Sequence, residues 1–415
     1  MTEGMRFRNK LAYDLIRGIP QMVGLRTQFV HLYVKDNTEE SGVKFEDYGI
    51  YTQVEQLNKT ALKSHGLDSN GQLYKINSFE FYRYEDIIKK EDDAGYDKTA
   101  FEKMLEIKGD SDHTKLIDML TDLNDYSIGI EDVLKEHFDE ENIVYWMAFQ
   151  ILMGNVDTQN RNVYLYSPLN SDIWYFIAWD NDGCLMRSEY KLKNYSDQSS
   201  WEKGISNYWG NILFQRCLKS RSFREKLNDA ILDLREYLNK DMLTSKIESY
   251  KNVLKPYLYL MPDAEYEPLT SEQYDQIAAS LPDEIEKNYQ LYLESLETPM
   301  PFYIGVPTID GDKLKFNWDV SYDLDAEDIT YSVEVARDYL FQDVIYQNTT
   351  LTVPEAEMDL PNAGQYFVRV RATNTSGKTQ DAFDYYVTDE GKHYGMKCFY
   401  ITEDNTVEED IYEEG

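Results

Sequence analysis

Apolar positions first recur at helical spacing over residues 8–18, RNKLAYDLIRG, where Leu11, Leu15 and Ile16 share a side and Gly18 and Pro20 supply the stop. The period then changes. TQFVHLYVKD and YGIYTQVE are rich in Val, Ile, Tyr and Phe and are separated by the polar stretch 37–47, which predicts antiparallel strands joined by a long loop. Residues 84–137 return to Leu and Ile at helical intervals between charged patches and predict connecting helices without a catalytic motif. In EENIVYWMAFQILM, Ile143, Val144, Met147, Ile151 and Leu152 lie on one side, and Gly154 ends what reads as a core helix. VYLYS and WYFIAW follow as short strands around a turn near Asn170, and helical patterns run from Ser222 to Leu296. Residues 1–298 therefore predict an α+β unit with strands early and helices late.

TPMP at 298–301 breaks the helical pattern and marks a domain boundary. Beyond it, residues 313–319, 330–337 and 366–373 alternate apolar and polar, as strands of a sandwich buried on one face do. Residues 391–415 add one further strand, MKCFYI, and an acidic tail from Glu403 that is expected to be solvated.

Composition narrows the function. A formal charge of -34, from 42 Lys plus Arg against 76 Asp plus Glu, repels nucleic-acid phosphates and anionic lipid. Cys184, Cys217 and Cys398 are widely spaced and odd in number, so they signal neither a disulfide framework nor a zinc site. The longest apolar run, 143–153, is interrupted by Gln150 and is too short to span a bilayer. No basic and apolar leader precedes Arg6. The five histidines, His31, His65, His113, His137 and His393, show neither HExxH nor triad spacing and read as structural or surface residues. The aromatic content of 14% reads as packing.

The informative chemistry lies in GNVDTQNRNVYLYS and WYFIAWDNDG. Asp157 and Asn162 have the D-x-x-x-x-N spacing of a kinase catalytic loop, and Asp180 and Asp182 end a hydrophobic strand from which a turn can project carboxylates into a cleft. Phosphoryl transfer needs this combination: one carboxylate to orient or deprotonate the attacking hydroxyl, and hard oxygens to hold magnesium against the phosphates. The same residues also suit turn capping and an Asp-rich hairpin. A calcium-loop reading of DNDG fails, because Leu185 stands where Gly is needed and Lys191 where an acid is needed.

These residues resemble the CotH family of spore-coat protein kinases, an atypical kinase-like fold with an N-x-D-x-x-x-x-N loop and a strand ending in W-D-x-D. Both are present, as Asn155, Asp157 and Asn162 and as Trp179, Asp180 and Asp182, after the ordered blocks RNKLAYD at 8–14, YGIYTQVE at 48–55 and GQLYK at 71–75. The resemblance implies an ATP- and Mg-dependent phosphotransferase in which Asp157 is the catalytic residue and Asn162 and Asp180 hold the metal. Asp182 would be a further ligand or a support, and the roles of the last two Asp are interchangeable. Glu55, at the end of its strand, would contact the adenine or ribose. Lys75 either approaches phosphates or only extends from a strand end.

A kinase small lobe normally places a glycine-rich strand pair and a strand-borne Lys before its first helix. Here that helix begins at residue 8, so the resemblance implies a unit lacking those strands, with weakened nucleotide binding. After the boundary, Trp318, Tyr366 and VRVRATNTSG resemble a fibronectin type III-like domain over 301–390. Two functions follow from the whole: a kinase acting on Ser or Thr of extracellular or spore-coat-type proteins, or a catalytically impaired surface protein that binds or adheres. Both imply a protein partner and an extracellular or cell-surface location.

Overall fold

A computed structural model describes residues 3–36, 38, 44–193, 199–389 and 391–410. The middle of the long polar loop expected after the first strand, and the last five residues of the acidic tail, lie outside the described residues. The chain divides into two compact units, one formed by Met1–Lys193 with Asn211–Tyr289 and the other by Asn194–Gly210 with Gln290–Gly415.

The first unit opens with α1 (Arg8–Ile16), followed by the antiparallel hairpin β1 (Thr27–Val34) and β2 (Glu46–Val54) and by α2 (Lys59–Ser64). Next come β3 (Gln72–Ile76), α3 (Lys98–Met104), β4 (Leu105–Ile107), α4 (Thr114–Asn124), α5 (Ile130–His137) and α6 (Glu140–Met153). The helices expected across 84–137 are interrupted by β4, which pairs with β3, so this stretch supplies an edge of the sheet as well as connections. After α6 the hairpin β5 (Val163–Ser167) and β6 (Tyr175–Ala178) completes a four-stranded antiparallel sheet in the order β4-β3-β5-β6.

Helix α6 holds this sheet from behind. Asp139 caps its start, accepting from the Asn142 amide at 2.9 Å, and Gly154 at φ +61° ends it in the left-handed region that costs a residue without Cβ least. Its apolar residues are buried on every side, not along one stripe, as a helix enclosed by a core requires. Trp146 stacks on Phe176 of β6 and on Phe214, with centroids at 5.1 and 5.6 Å. On the other face of the sheet, Leu73, Tyr164, Tyr166 and Ile177 pack with Tyr13 of α1 and with Leu25, Leu57, Ala61 and Leu62. Strand β5 is buried throughout, which is why residues 163–166 are all apolar or aromatic, with Ser167 at its end. Helices α7 (Arg187–Leu192), α8 (Ile212–Lys219), α9 (Arg221–Tyr237), α10 (Lys240–Leu258), α11 (Ser271–Ser280) and α12 (Glu284–Leu296) follow, and the division between the units falls within α12.

The second unit is mainly β. Strands β7 (Thr308–Asp310), β8 (Lys313–Asn317) and β11 (Glu355–Asp359) form one sheet in the order β11-β8-β7. A larger sheet contains β9 (Ile329–Ala336), β10 (Val344–Leu351), β12 (Gly364–Asn374), β13 (Thr379–Asp381), β16 (Met396–Ile401) and β17 (Val407–Glu409), with β14 (Tyr385–Thr388) and β15 (Gly391–Tyr394) forming a separate hairpin. Trp318, Tyr331, Val333, Val335, Tyr366, Val368 and Val370 share one core with Leu314 and Phe316. The tail is exposed over residues 403–406 and then returns along β16, where Ile401 faces Val407 in β17. Its backbone pairs with an existing sheet edge while Glu408 and Glu409 remain exposed.

Candidate active site

The two loops singled out in the sequence meet at one end of the β5–β6 hairpin. Beyond the last strand pair, Val163 with Ala178, the Trp179 amide donates to the Asn162 carbonyl at 3.1 Å. This extra rung places Asn162 beside Trp179 and sends Asp180 off the sheet at the same edge. Asn162 (φ +58°) and Asp180 (φ +49°) are both in the left-handed region, a conformation that Asn and Asp tolerate better than other side chains.

Within the first loop the Asn162 amide nitrogen donates to the Asp157 carboxylate at 2.9 Å and to the Asp157 carbonyl at 3.0 Å. Asn162 Oδ1 therefore faces away from Asp157 and is left to act as a hard oxygen donor. Asp157 itself is exposed, with Arg161 Nε at 3.7 Å. The loop is clamped from outside: the Phe79 amide donates to the Asn160 carbonyl at 2.8 Å, Asn160 donates to Glu80 at 2.6 Å, and Asn211 donates to the Gln159 carbonyl at 2.8 Å.

Asp180 is held by its backbone, not by its side chain. Its amide donates to the Tyr13 hydroxyl at 3.1 Å, and the Asn181 amide donates to Asn9 Oδ1 at 3.1 Å. Burial pushes the Asp180 carboxyl above its ordinary value; the charges of Asp182 and Asp157 raise it further, and Lys75 pulls it down. Asp157, Asp182 and Lys75 thus each act on Asp180 through space. The cross-strand pairing of Lys75 with Tyr164 carries the Lys75 backbone to this face of the sheet.

The sequence profile of the CotH kinase protein family matches residues 1–292. The chain belongs to the CotH kinase family. No curated protein matches it.

In this CotH domain the turn after Asp180 lies against the catalytic-type loop. A Cβ on Gly183 would come within 2.7 Å of Asn155 Oδ1, so only glycine allows the approach. The Leu185 amide donates to the Met153 carbonyl at 2.7 Å, and Arg8, wholly buried, donates to the Leu185 carbonyl at 3.1 Å, to Glu189 at 2.7 Å and to Glu3 at 3.0 Å. Helix α1 therefore touches both sides of the acidic turn through Arg8, Asn9 and Tyr13. Among the described residues of the first unit, the non-glycine residues with positive φ are Arg6, Phe81, Tyr84, Asn162, Asp180 and Leu185, all in or flanking segments bonded to these loops. Such strain persists where the surrounding structure over-determines a site.

Glu55 has a different environment. Its carboxylate accepts from the Arg26 amide at 3.1 Å and from the Arg26 guanidinium, and His65 Nε2 lies 2.8 Å away. Desolvation pushes this carboxyl up, but the hydrogen bonds from Arg26 and His65 outweigh it and hold it at about 2. Glu55 therefore clamps the end of the β1–β2 hairpin, while the groups acting on Asp180 are Asp182, Asp157 and Lys75.

A divalent cation suits the donor set. The Asp180 carboxylate accepts no hydrogen bond, Asn162 Oδ1 accepts none, and the mutual repulsion that lifts the Asp180 carboxyl is relieved by positive charge. Among the described residues no group of three or more His, Cys, Asp or Glu is arranged to hold a metal ion by itself. Magnesium sites that use one or two carboxylates together with substrate phosphates have that composition. No helix among the described residues is long and apolar enough to cross a membrane.

The residues without a sequence-derived role are Arg8, Asn9, Tyr13 and Gln150. Their signal is present in retrospect: RNKLAYD puts Asn9 and Tyr13 four residues apart, on one face of a helix whose other residues are mainly apolar, and Gln150 interrupts the most apolar run in the chain.

Proposed function

We propose that this CotH family member is a protein kinase that transfers the γ-phosphate of ATP to Ser or Thr of spore-coat-type or other extracellular proteins, with magnesium. Asp157, exposed and oriented by Asn162, receives or directs the proton of the attacking hydroxyl. Asn162 and Asp180 hold the cation, and Asp182 shares it or supports the turn, the two Asp being exchangeable in these roles. When bound, the divalent ion neutralises the phosphate oxygens of the nucleotide. Lys75 adds positive charge that acts on Asp180. Glu55, its carboxylate committed to Arg26 and His65, meets the adenine or ribose through its backbone.

The observation that carries this reading is the Trp179 to Asn162 backbone bond, which joins the two loops at one strand end, with Asp180 held in the field of Asp157 and Asp182. Residues 301–390 act as a fibronectin type III-like spacer or adhesion module. In support, Trp318 is in the sandwich core and the Tyr366 hydroxyl donates back to the Asn362 carbonyl at 2.8 Å. Secretion to the cell surface accords with such a module.

The test is transfer from γ-labelled ATP with magnesium to the chain itself and to a Ser-rich acceptor such as casein. Transfer is expected, and Asp157→Ala should lower it by about 100-fold or more. Unchanged transfer in Asp157→Ala, or neither transfer nor an ATP-induced rise in melting temperature in the parent chain, removes the enzymatic reading. The second outcome leaves a kinase-like surface-binding protein.

A further inference from the structure

The Asp157–Asn162 loop and the Asp180–Asp182 turn are separate in sequence, and one side chain bridges their roots. Gln150, in the last turn of α6, is fully buried. Its Nε2 donates to Asn181 Oδ1 at 3.1 Å, and its Oε1 accepts from Asn155 Nδ2 at 3.1 Å. Asn181 stands between the two turn aspartates, and Asn155 opens the loop that carries Asp157. The Asn155 amide also donates to the Gln150 carbonyl at 3.0 Å, so α6 grips that loop by main chain and side chain together.

This chain of amides is a poor device for stability alone. Asn155 Oδ1 is buried without a hydrogen-bond partner, and such a group costs on the order of 1–3 kcal/mol. Apolar side chains of similar volume would fill the space without that penalty. The bridge also needs a donor and an acceptor on one side chain at fixed separation, which a carboxamide offers at every pH because it does not titrate. What the network does provide is a fixed distance between the two loops: with Asn9 on the Asn181 amide and Tyr13 on the Asp180 amide, the turn is fastened to α1 on one side and α6 on the other.

We infer that Gln150 is the positioning residue of the cation site: by joining Asn155 to Asn181 it sets the spacing of Asn162 and Asp180, and so the affinity for a divalent ion. The inference rests on the cation-site reading given above. It places no demand on the identity of the protein substrate.

The test is direct binding of Mn2+ alone to the full chain, read from the loss of the free-ion signal in electron paramagnetic resonance. Gln150→Met, similar in volume and unable to bridge, should weaken Mn2+ binding by about tenfold or more. Gln150→Leu, which also lacks both the donor and the acceptor, should act in the same direction. Asn142→Leu is the control for a merely structural defect. Asn142 is an equally buried amide on α6 that bonds the Gln21 and Phe176 carbonyls, so its loss should lower stability and leave Mn2+ affinity unchanged.

A folded Gln150 variant with the parent affinity overturns the inference while leaving the cation site standing. Failure of both Gln150 variants to fold assigns the residue a structural role only and also overturns it. Absence of Mn2+ binding in the parent chain overturns the site and the inference together.

Discussion

Replacing Arg8 by Met tests whether α1 anchors the acidic turn. The Arg8 and Glu189 side chains are both fully buried, and Arg8 is shared between Glu189, Glu3 and the Leu185 carbonyl. Breaking one side of a buried ion pair leaves its partner charged in a poor solvent and costs about 3–5 kcal/mol. Lys193, 2.6 Å from Glu189, compensates part of this, so the lower end applies to Glu189 alone. Glu3 makes the loss depend on pH. Burial raises its carboxyl to about 7, Arg8 opposing the rise. A carboxyl raised in the folded state contributes stability that is complete below its ordinary value and is lost as pH rises through the folded value.

Without Arg8 the Glu3 carboxyl moves higher still, so at pH 8 the variant bears the cost of a buried, unpaired Glu3, while at pH 6 Glu3 is largely protonated in both proteins. Urea unfolding at pH 6 and 8, fitted with separate transitions for the two units, should give a loss of about 3–5 kcal/mol at pH 8 and at least about 1 kcal/mol less at pH 6. Adding Glu189→Gln should recover part of the loss, as a double-mutant cycle on a coupled pair does. A loss below about 1 kcal/mol at pH 8, or one equal at both pH values, would refute the reasoning.

Two other outcomes follow from the site. Asp180→Asn removes a carboxylate that its neighbours and burial disfavour; because the folded-state value is raised, the parent loses stability as pH rises through the carboxylate range and the variant does not. Calorimetry in EDTA should show a higher melting temperature for Asp180→Asn at pH 8 and no difference at pH 3, while stabilisation by Mg2+ disappears and transfer falls by about 100-fold or more. Glu55→Gln should show the opposite pH dependence. A carboxyl lowered to about 2 contributes stability present above its ordinary value and lost as pH falls through 2. Its full shift corresponds to about 3 kcal/mol, which solvent around the half-exposed Arg26 guanidinium reduces to about 1–2 kcal/mol. Denaturation at pH 7 should show that loss, and denaturation at pH 2 should show little of it.

The sequence alone was enough to locate α1, the β1–β2 hairpin, α6, the β5–β6 hairpin and the alternating strands after residue 300, because each follows from a local period and a local stop such as Gly154 or TPMP. It also singled out Asp157, Asn162, Asp180 and Asp182, since their spacing is short-range. Short-range patterns could not show that β4 interrupts the helices, or that residues beyond Glu403 fold back as β17, because pairing depends on an edge supplied by distant residues. Nor could they separate Glu55 from the acidic group: Arg26 and His65 are as remote in sequence as many residues that do not touch it. The joining of Asn162 to Trp179, the burial that lifts the Asp180 carboxyl, and the service of Arg8, Asn9, Tyr13 and Gln150 to one turn belong to tertiary structure. Desolvation and long-range hydrogen bonding are properties of the assembled core, and a linear pattern carries neither.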